Sequence, residues 1–297
     1  MSRHRDRLSR RRFIAGAAVG TAALWAGRHL APAFAESKKW QMRLSCSSIN
    51  FSSLPIEQAI ERIAALGFDA IDIWSAHAGC PHLDDVLNRV GPEKLKELLD
   101  KAGLELYAFS VYVGGYAKYA ELLGKAGGGV AVRGSSRPAE PGKLGETMKK
   151  FVESLKPDLE LCEKYDSYLA IENHANALLH TMDSIRAFID AAADYPRLGM
   201  ALAPFHIQSY NGSVPEAIRI AGKKLFFFYA WQRGSGTQQL PGIGPVDCTP
   251  WLEALAEIDF GYPVNPFMHH EPEPDAMSQA LRQSCDYLKA CYRKVVG

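Results

Sequence analysis

Cysteine is sparse in this chain: six residues in 297, at positions 46, 80, 162, 248, 285 and 291. None belongs to a C-x-x-C pair, which excludes a zinc ribbon and a thioredoxin-like redox motif. Cys285 and Cys291 are six apart on an expected helix and so point to different faces. An exported chain can form disulfides, but one of this length can fold on its core alone, so free and buried thiols are the preferred expectation. Glycine-rich phosphate loops are missing too. No G-x-G-x-x-G follows the first β-rich run, and Gly127-Gly128-Gly129 is not followed by Gly-Lys-Ser/Thr, which argues against a dinucleotide-binding sheet and a P-loop. Long apolar runs are absent as well: the stretch 14–27 is short and rich in Ala and Gly, a poor spanning helix.

The N-terminus instead has the form of an export leader. Ser9-Arg10-Arg11-Arg12-Phe13-Ile14 is a twin-arginine pattern, and Ala33-Phe34-Ala35 offers a small-x-small cleavage site before Glu36. Residues 1–35 are therefore expected to be a signal peptide and 36–297 the working domain, periplasmic or secreted, without stable membrane insertion after cleavage. The leader holds seven Arg and one Asp, so the remainder carries 27 basic and 32 acidic residues, a net charge of −5. A basic face is thus lacking, which argues against a nucleic-acid partner.

What is present is an alternation of short apolar runs with helical patterns. Strands are expected at 42–49, 70–74, 104–111, 130–133, 168–173, 198–203, 225–230 and 263–268. Helices are expected at 55–66, 92–102, 116–125, 144–165, 182–193, 214–221, 249–258 and 275–294. Runs apolar at nearly every position are strands buried on both faces, as in a parallel sheet wrapped by helices. Eight such units in about 260 residues predict a single (β/α)8 TIM barrel in the α/β class.

The seven histidines beyond the leader, with Glu172 and Glu271, fall at or just past the ends of those runs. On a parallel barrel those ends form one rim, where active sites are built. Glu172 closes an apolar strand, and a buried carboxylate needs a cation, a donor network or water. His206 follows Ala203-Pro204-Phe205 in a turn. His269, His270 and Glu271 close the eighth strand; alternation lets only one of His269 and His270 face the axis, with Glu271 on the side of His269. The spacing leaves open which set points inward. Tyr229 and Trp231 share a face at the seventh exit, ahead of Arg233, and such a group can stack on a sugar ring and hold its hydroxyls. His77 and His82 are further substrate-pocket candidates, whereas His174 and His180 are expected to be supporting loop residues.

With Ala170-Ile171-Glu172-Asn173-His174 at strand five, the Pro-x-His206 turn after strand six and the acidic end of strand eight, the chain resembles the xylose-isomerase-like TIM-barrel superfamily over most of 42–294. The resemblance implies a sugar isomerase or epimerase that enolises its substrate, with two glutamates as the acid–base pair and often a homodimer. It also implies one divalent metal held by Glu, Asp, His and Glu on strands five to eight. Glu172 matches the first ligand, and His206 a substrate-contacting histidine. Ala203 stands where the aspartate is expected, Tyr229 or Trp231 where the histidine is, and His269 or Glu271 near the last glutamate. A rebuilt set of Glu172, His206, His269, His270 and Glu271 would suit Zn, Mn, Co or Fe; a metal-free rim is the other option. The expected function is enolisation of a free sugar or glycoside, with Glu172, Glu271 and His206 as catalytic groups. Elimination from a keto-glycoside, and a barrel that only binds carbohydrate, are the alternatives. The related endonuclease activity fits the acidic body poorly.

Overall fold

A computed structural model describes residues 40–297. Eight parallel strands run in sequence order: β1 Ser45–Ser47, β2 Ala70–Trp74, β3 Glu105–Ser110, β4 Gly129–Gly134, β5 Ser167–Glu172, β6 Leu198–Leu202, β7 Leu225–Ala230 and β8 Val264–Pro266. A parallel bridge from Leu44 to Val264, with the Val264 N–H donating to the Arg43 carbonyl at 2.9 Å, draws the last strand to the first. The eight-unit barrel read from the sequence is thus the fold observed. The expected signal peptide, residues 1–35, lies outside the described residues.

Alternation sorts the side chains into two cores. Ile71 and Ile73, Leu169 and Ile171, and Phe228 and Ala230 face the surrounding helices. Ala70 and Trp74, Ala170, Phe227, Tyr229 and Phe267 fill the barrel interior. At β6 and β7 the packing is close. A Cβ on Gly199 would lie 2.5 Å from both the Lys224 carbonyl oxygen and the Phe226 ring.

Two elements differ from expectation. The first strand is only three residues long, because Ser48–Phe51 coils into a 3-10 turn and the Ser48 hydroxyl accepts the Trp74 N–H at 3.0 Å. The helix expected over 144–165 is two, Leu144–Ser154 and Lys156–Lys164. Pro157 has no N–H to give and its ring crowds the preceding turn, so a new helix starts there instead of the old one continuing. All six cysteines are free and buried, as expected.

Candidate active site

The rim formed by the strand ends encloses a cavity of about 590 Å3. Its walls are aromatic. Trp74 stacks on Phe267 at 5.3 Å between ring centres and lies 5.0 Å from Tyr112. Trp231 stacks on Phe205 at 4.4 Å and meets Phe267 edge-on. Polar groups enter from Glu172, His77, His174, His206 and His269, with Arg133 and Ser135 from the β4 exit. Arg133 is paired with Asp158 at 2.8 Å.

Glu172 ends β5 and is 6% exposed. Tyr112 donates its hydroxyl to Glu172 Oε2 at 2.8 Å. Burial pushes the carboxyl above its ordinary range, against the opposing pull of the Tyr112 hydrogen bond and of His174 and His269. Asn173, next in sequence, pairs with both backbone groups of Ala203: its Oδ1 accepts the N–H at 2.7 Å and its Nδ2 donates to the carbonyl at 3.1 Å. That clamp fixes the β5 and β6 exits side by side, and His206 follows in the short helix Pro204–Gln208.

Both ring nitrogens of His206 are buried without a hydrogen-bond partner. Desolvation, reinforced by His174, His180 and His269, lowers its pKa to about 3. The imidazole is therefore neutral at physiological pH, with one donor and one acceptor unused. His174 lies 4.0 Å from it, ring to ring. His77, at the cavity edge, has its pKa lowered by burial and then by His269 and His174.

At the eighth exit His269 lines the cavity. Gln239 holds it there: its Nε2 donates to the His269 carbonyl at 2.9 Å, and its Oε1 accepts the indole N–H of Trp231 at 2.7 Å. Glu271 is not in the wall; its Oε1 lies 3.8 Å from His269 Nδ1. β8 ends at Pro266, so strict alternation is lost before these residues. His270 takes a left-handed backbone (φ 64°) and is exposed, away from the cavity.

Other expected residues lie elsewhere. His82 is buried beneath the rim, its Nε2 2.8 Å from the Leu54 carbonyl and its Nδ1 3.4 Å from Cys80 Sγ. Arg233 is exposed, and only its backbone N–H is engaged, by Gln208 Oε1 at 2.7 Å. Tyr229 lies below the floor, its hydroxyl 3.1 Å from that of Tyr112. Sequence reasoning missed Tyr112, Trp74, Phe267 and Arg133. It also missed Asp72, buried inside the barrel, where Ser47, Ser110 and Trp74 Nε1 all donate to its carboxylate. The signal was there: Asp72 is the one charged residue of Ala70–Trp74 and shares a face with inward-pointing Ala70 and Trp74.

The five donors expected from the sequence, Glu172, His206, His269, His270 and Glu271, are not gathered into a site that fits a resident divalent metal. Among the described residues no three His, Cys, Asp or Glu side chains are gathered to hold an ion. Ala203 and Trp231 supply no suitable donor, Tyr229 is not in the cavity wall, His270 is exposed away from it, and Glu271 stands behind His269.

The chain matches the family described as xylose isomerase-like TIM barrel over residues 60–291. Among solved structures it is similar to a 3-keto-D-glucoside 4-epimerase from E. coli, with 17% identity and a TM-score of 0.65 over 84% of this chain and 100% of that one. It is also similar to a D-psicose 3-epimerase solved with D-fructose, with 17% identity and a TM-score of 0.65 over 84% and 99% of the two chains. A third is a fusion of a xylose isomerase-like TIM barrel with 4-hydroxyphenylpyruvate dioxygenase: 21% identity and a TM-score of 0.63 over 82% of this chain, which spans only 42% of that one. At such identities the likeness shows the fold. No match was found among curated proteins.

Proposed function

We propose, for a chain that belongs to the xylose isomerase-like TIM-barrel family, that the barrel mouth binds a free sugar or glycoside and moves a proton beside its carbonyl. The observation that carries this reading is Glu172: a buried carboxylate at the wall of an aromatic cavity, held by one tyrosine hydroxyl, with its basicity raised by burial. A cavity of about 590 Å3 suits a small ligand. Trp74, Trp231 and Phe267 offer ring faces and edges to the C–H surface of a sugar, and the histidines meet its hydroxyls.

In this reading Glu172 removes the proton from the carbon next to the carbonyl. The neutral imidazole of His206 donates its N–H to the oxygen on which negative charge develops. Because both its nitrogens lack protein partners, that hydrogen bond is not taken from another group. His269 also lines the cavity, with Glu271 Oε1 3.8 Å from its Nδ1, and is the second candidate for acid–base work. Return of the proton to the other face gives an epimer and to the neighbouring carbon an isomer; loss of a group one carbon further on gives elimination. Turnover of a panel of ketoses and 3-keto-glycosides, followed by NMR, tests this. Glu172→Gln is expected to lower kcat by about 10²–10⁴-fold while sugar binding persists.

The missing metal donor set favours one second reading, a barrel that binds carbohydrate without turning it over. Undiminished affinity with no product for any sugar in the panel would establish it. We propose also that the leader exports the protein by the twin-arginine route. Arg10→Lys combined with Arg11→Lys is expected to leave the chain in the cytoplasmic fraction; unchanged export would sink that part.

A further inference from the structure

A chain of hydroxyls connects the carboxylate at the cavity wall to a second one buried inside the barrel. From Glu172 Oε2 it runs to Tyr112 Oη at 2.8 Å and Tyr229 Oη at 3.1 Å. It continues to Ser110 Oγ at 3.4 Å and Asp72 Oδ1 at 3.0 Å. Those four gaps need four hydrogens, and the three hydroxyls supply three. With both carboxylates ionised one gap has no proton; with one carboxyl protonated every gap is filled, and in either direction. Asp72 is built for such a role. Its Oδ2 accepts from Ser47 at 2.8 Å and Trp74 Nε1 at 2.6 Å, and Ser110 Oγ lies 3.0 Å from both carboxylate oxygens, the one side-chain hydroxyl that Oδ1 meets.

We propose that Asp72 and Glu172 share a single proton through Ser110, Tyr229 and Tyr112. In one state Asp72 Oδ1 holds the proton and Glu172 is the anion. In the other, Asp72 gives its proton to Ser110, Ser110 to Tyr229, Tyr229 to Tyr112 and Tyr112 to Glu172. Four O–H bonds break and four form, and the net charge is unchanged. Asp72 thus acts through Glu172 as a positioning residue, setting it as base or acid without a proton from solvent. Burial raises both carboxyls, Asp72 to about 7. The other titratable groups facing the pair are Cys46, Cys80, Tyr107 and Tyr229 around Asp72, and Tyr112, Tyr229, His174 and His269 around Glu172.

The use of this proton in turnover rests on the proposed reaction; the sharing itself does not, and its test needs no substrate. Carboxyl protonation is followed by infrared difference spectroscopy across a pH titration, with ¹³C-labelled Asp and Glu, in the protein without its leader. One protonated buried carboxyl is expected at neutral pH, and Glu172→Gln is expected to shift the Asp72 titration. Tyr229→Phe, which keeps both carboxyls but cuts the chain, is expected to abolish that response; Ser110→Ala does the same should the tyrosine variant fail to fold. An Asp72 titration that responds to Glu172→Gln equally with and without Tyr229 would overturn the proposal, leaving Asp72 a structural anchor. A stoichiometric divalent ion lost on Glu172→Ala, read by elemental mass spectrometry, would overturn it as well. Intact coupling without turnover would sink only the reaction.

Discussion

Asp72 and His206 are both buried and both shifted, but toward opposite neutral forms. Folded Asp72 keeps its proton up to about pH 7, whereas the unfolded carboxyl releases it near 3.8. The stability it contributes is full below 3.8 and is lost as pH rises toward 7, and Glu172 acts in the same direction. His206 stays neutral down to about 3, while the unfolded imidazole takes a proton below 6.5. Its contribution is therefore lost as pH falls through that window. Between 3.8 and 6.5 the slopes oppose one another. Relative to wild type, urea midpoints measured across this range should rise more steeply with pH in Asp72→Asn and less steeply in His206→Gln. Identical profiles in both variants would mean that neither group carries its charge state as assigned. Glu172, His206 and Trp231 could be read from the sequence because they sit at strand ends beside other polar residues. Tyr112 and Asp72 could not, because their importance lies in hydroxyls from β3 and β7 that meet only across the barrel. His82 carried the right chemistry in the wrong place, held by the Leu54 carbonyl.

At the scale of elements, six of the eight strands were legible to within a residue at each end, because apolar runs buried on both faces leave little ambiguity. The ends were less so. β8 stops at Pro266, and beyond it alternation no longer says which of His269, His270 and Glu271 points inward. Gln239, far along the loop after β7, makes that choice by gripping His269 and Trp231 together. Between β6 and β7 the limit is space. Gly199→Ala would push a methyl group against backbone and ring at 2.5 Å, and is expected to cost about 1–3 kcal/mol. Thermal or urea unfolding reads that loss; a variant as stable as wild type would show that the strands yield freely.

The whole molecule places a buried carboxylate, a neutral imidazole and an aromatic enclosure on the rim where such barrels build their sites. Among the described residues no helix is long and apolar enough to cross a membrane. The resemblance supplied the barrel correctly, but it also implied a metal whose donors this chain does not assemble: Ala203 stands where the aspartate is expected, and Tyr229 or Trp231 where the histidine is. The proposed chemistry therefore stands on proton movement at Glu172. Its most direct measurement is deuterium uptake from D2O into the carbon beside the carbonyl of ketoses and 3-keto-glycosides, followed by NMR in the presence of the protein. Enolisation exchanges that hydrogen even when no net product forms. Uptake at that carbon alone, lost in Glu172→Gln, is the result expected. A bound sugar whose carbon-bound hydrogens never exchange would contradict the account.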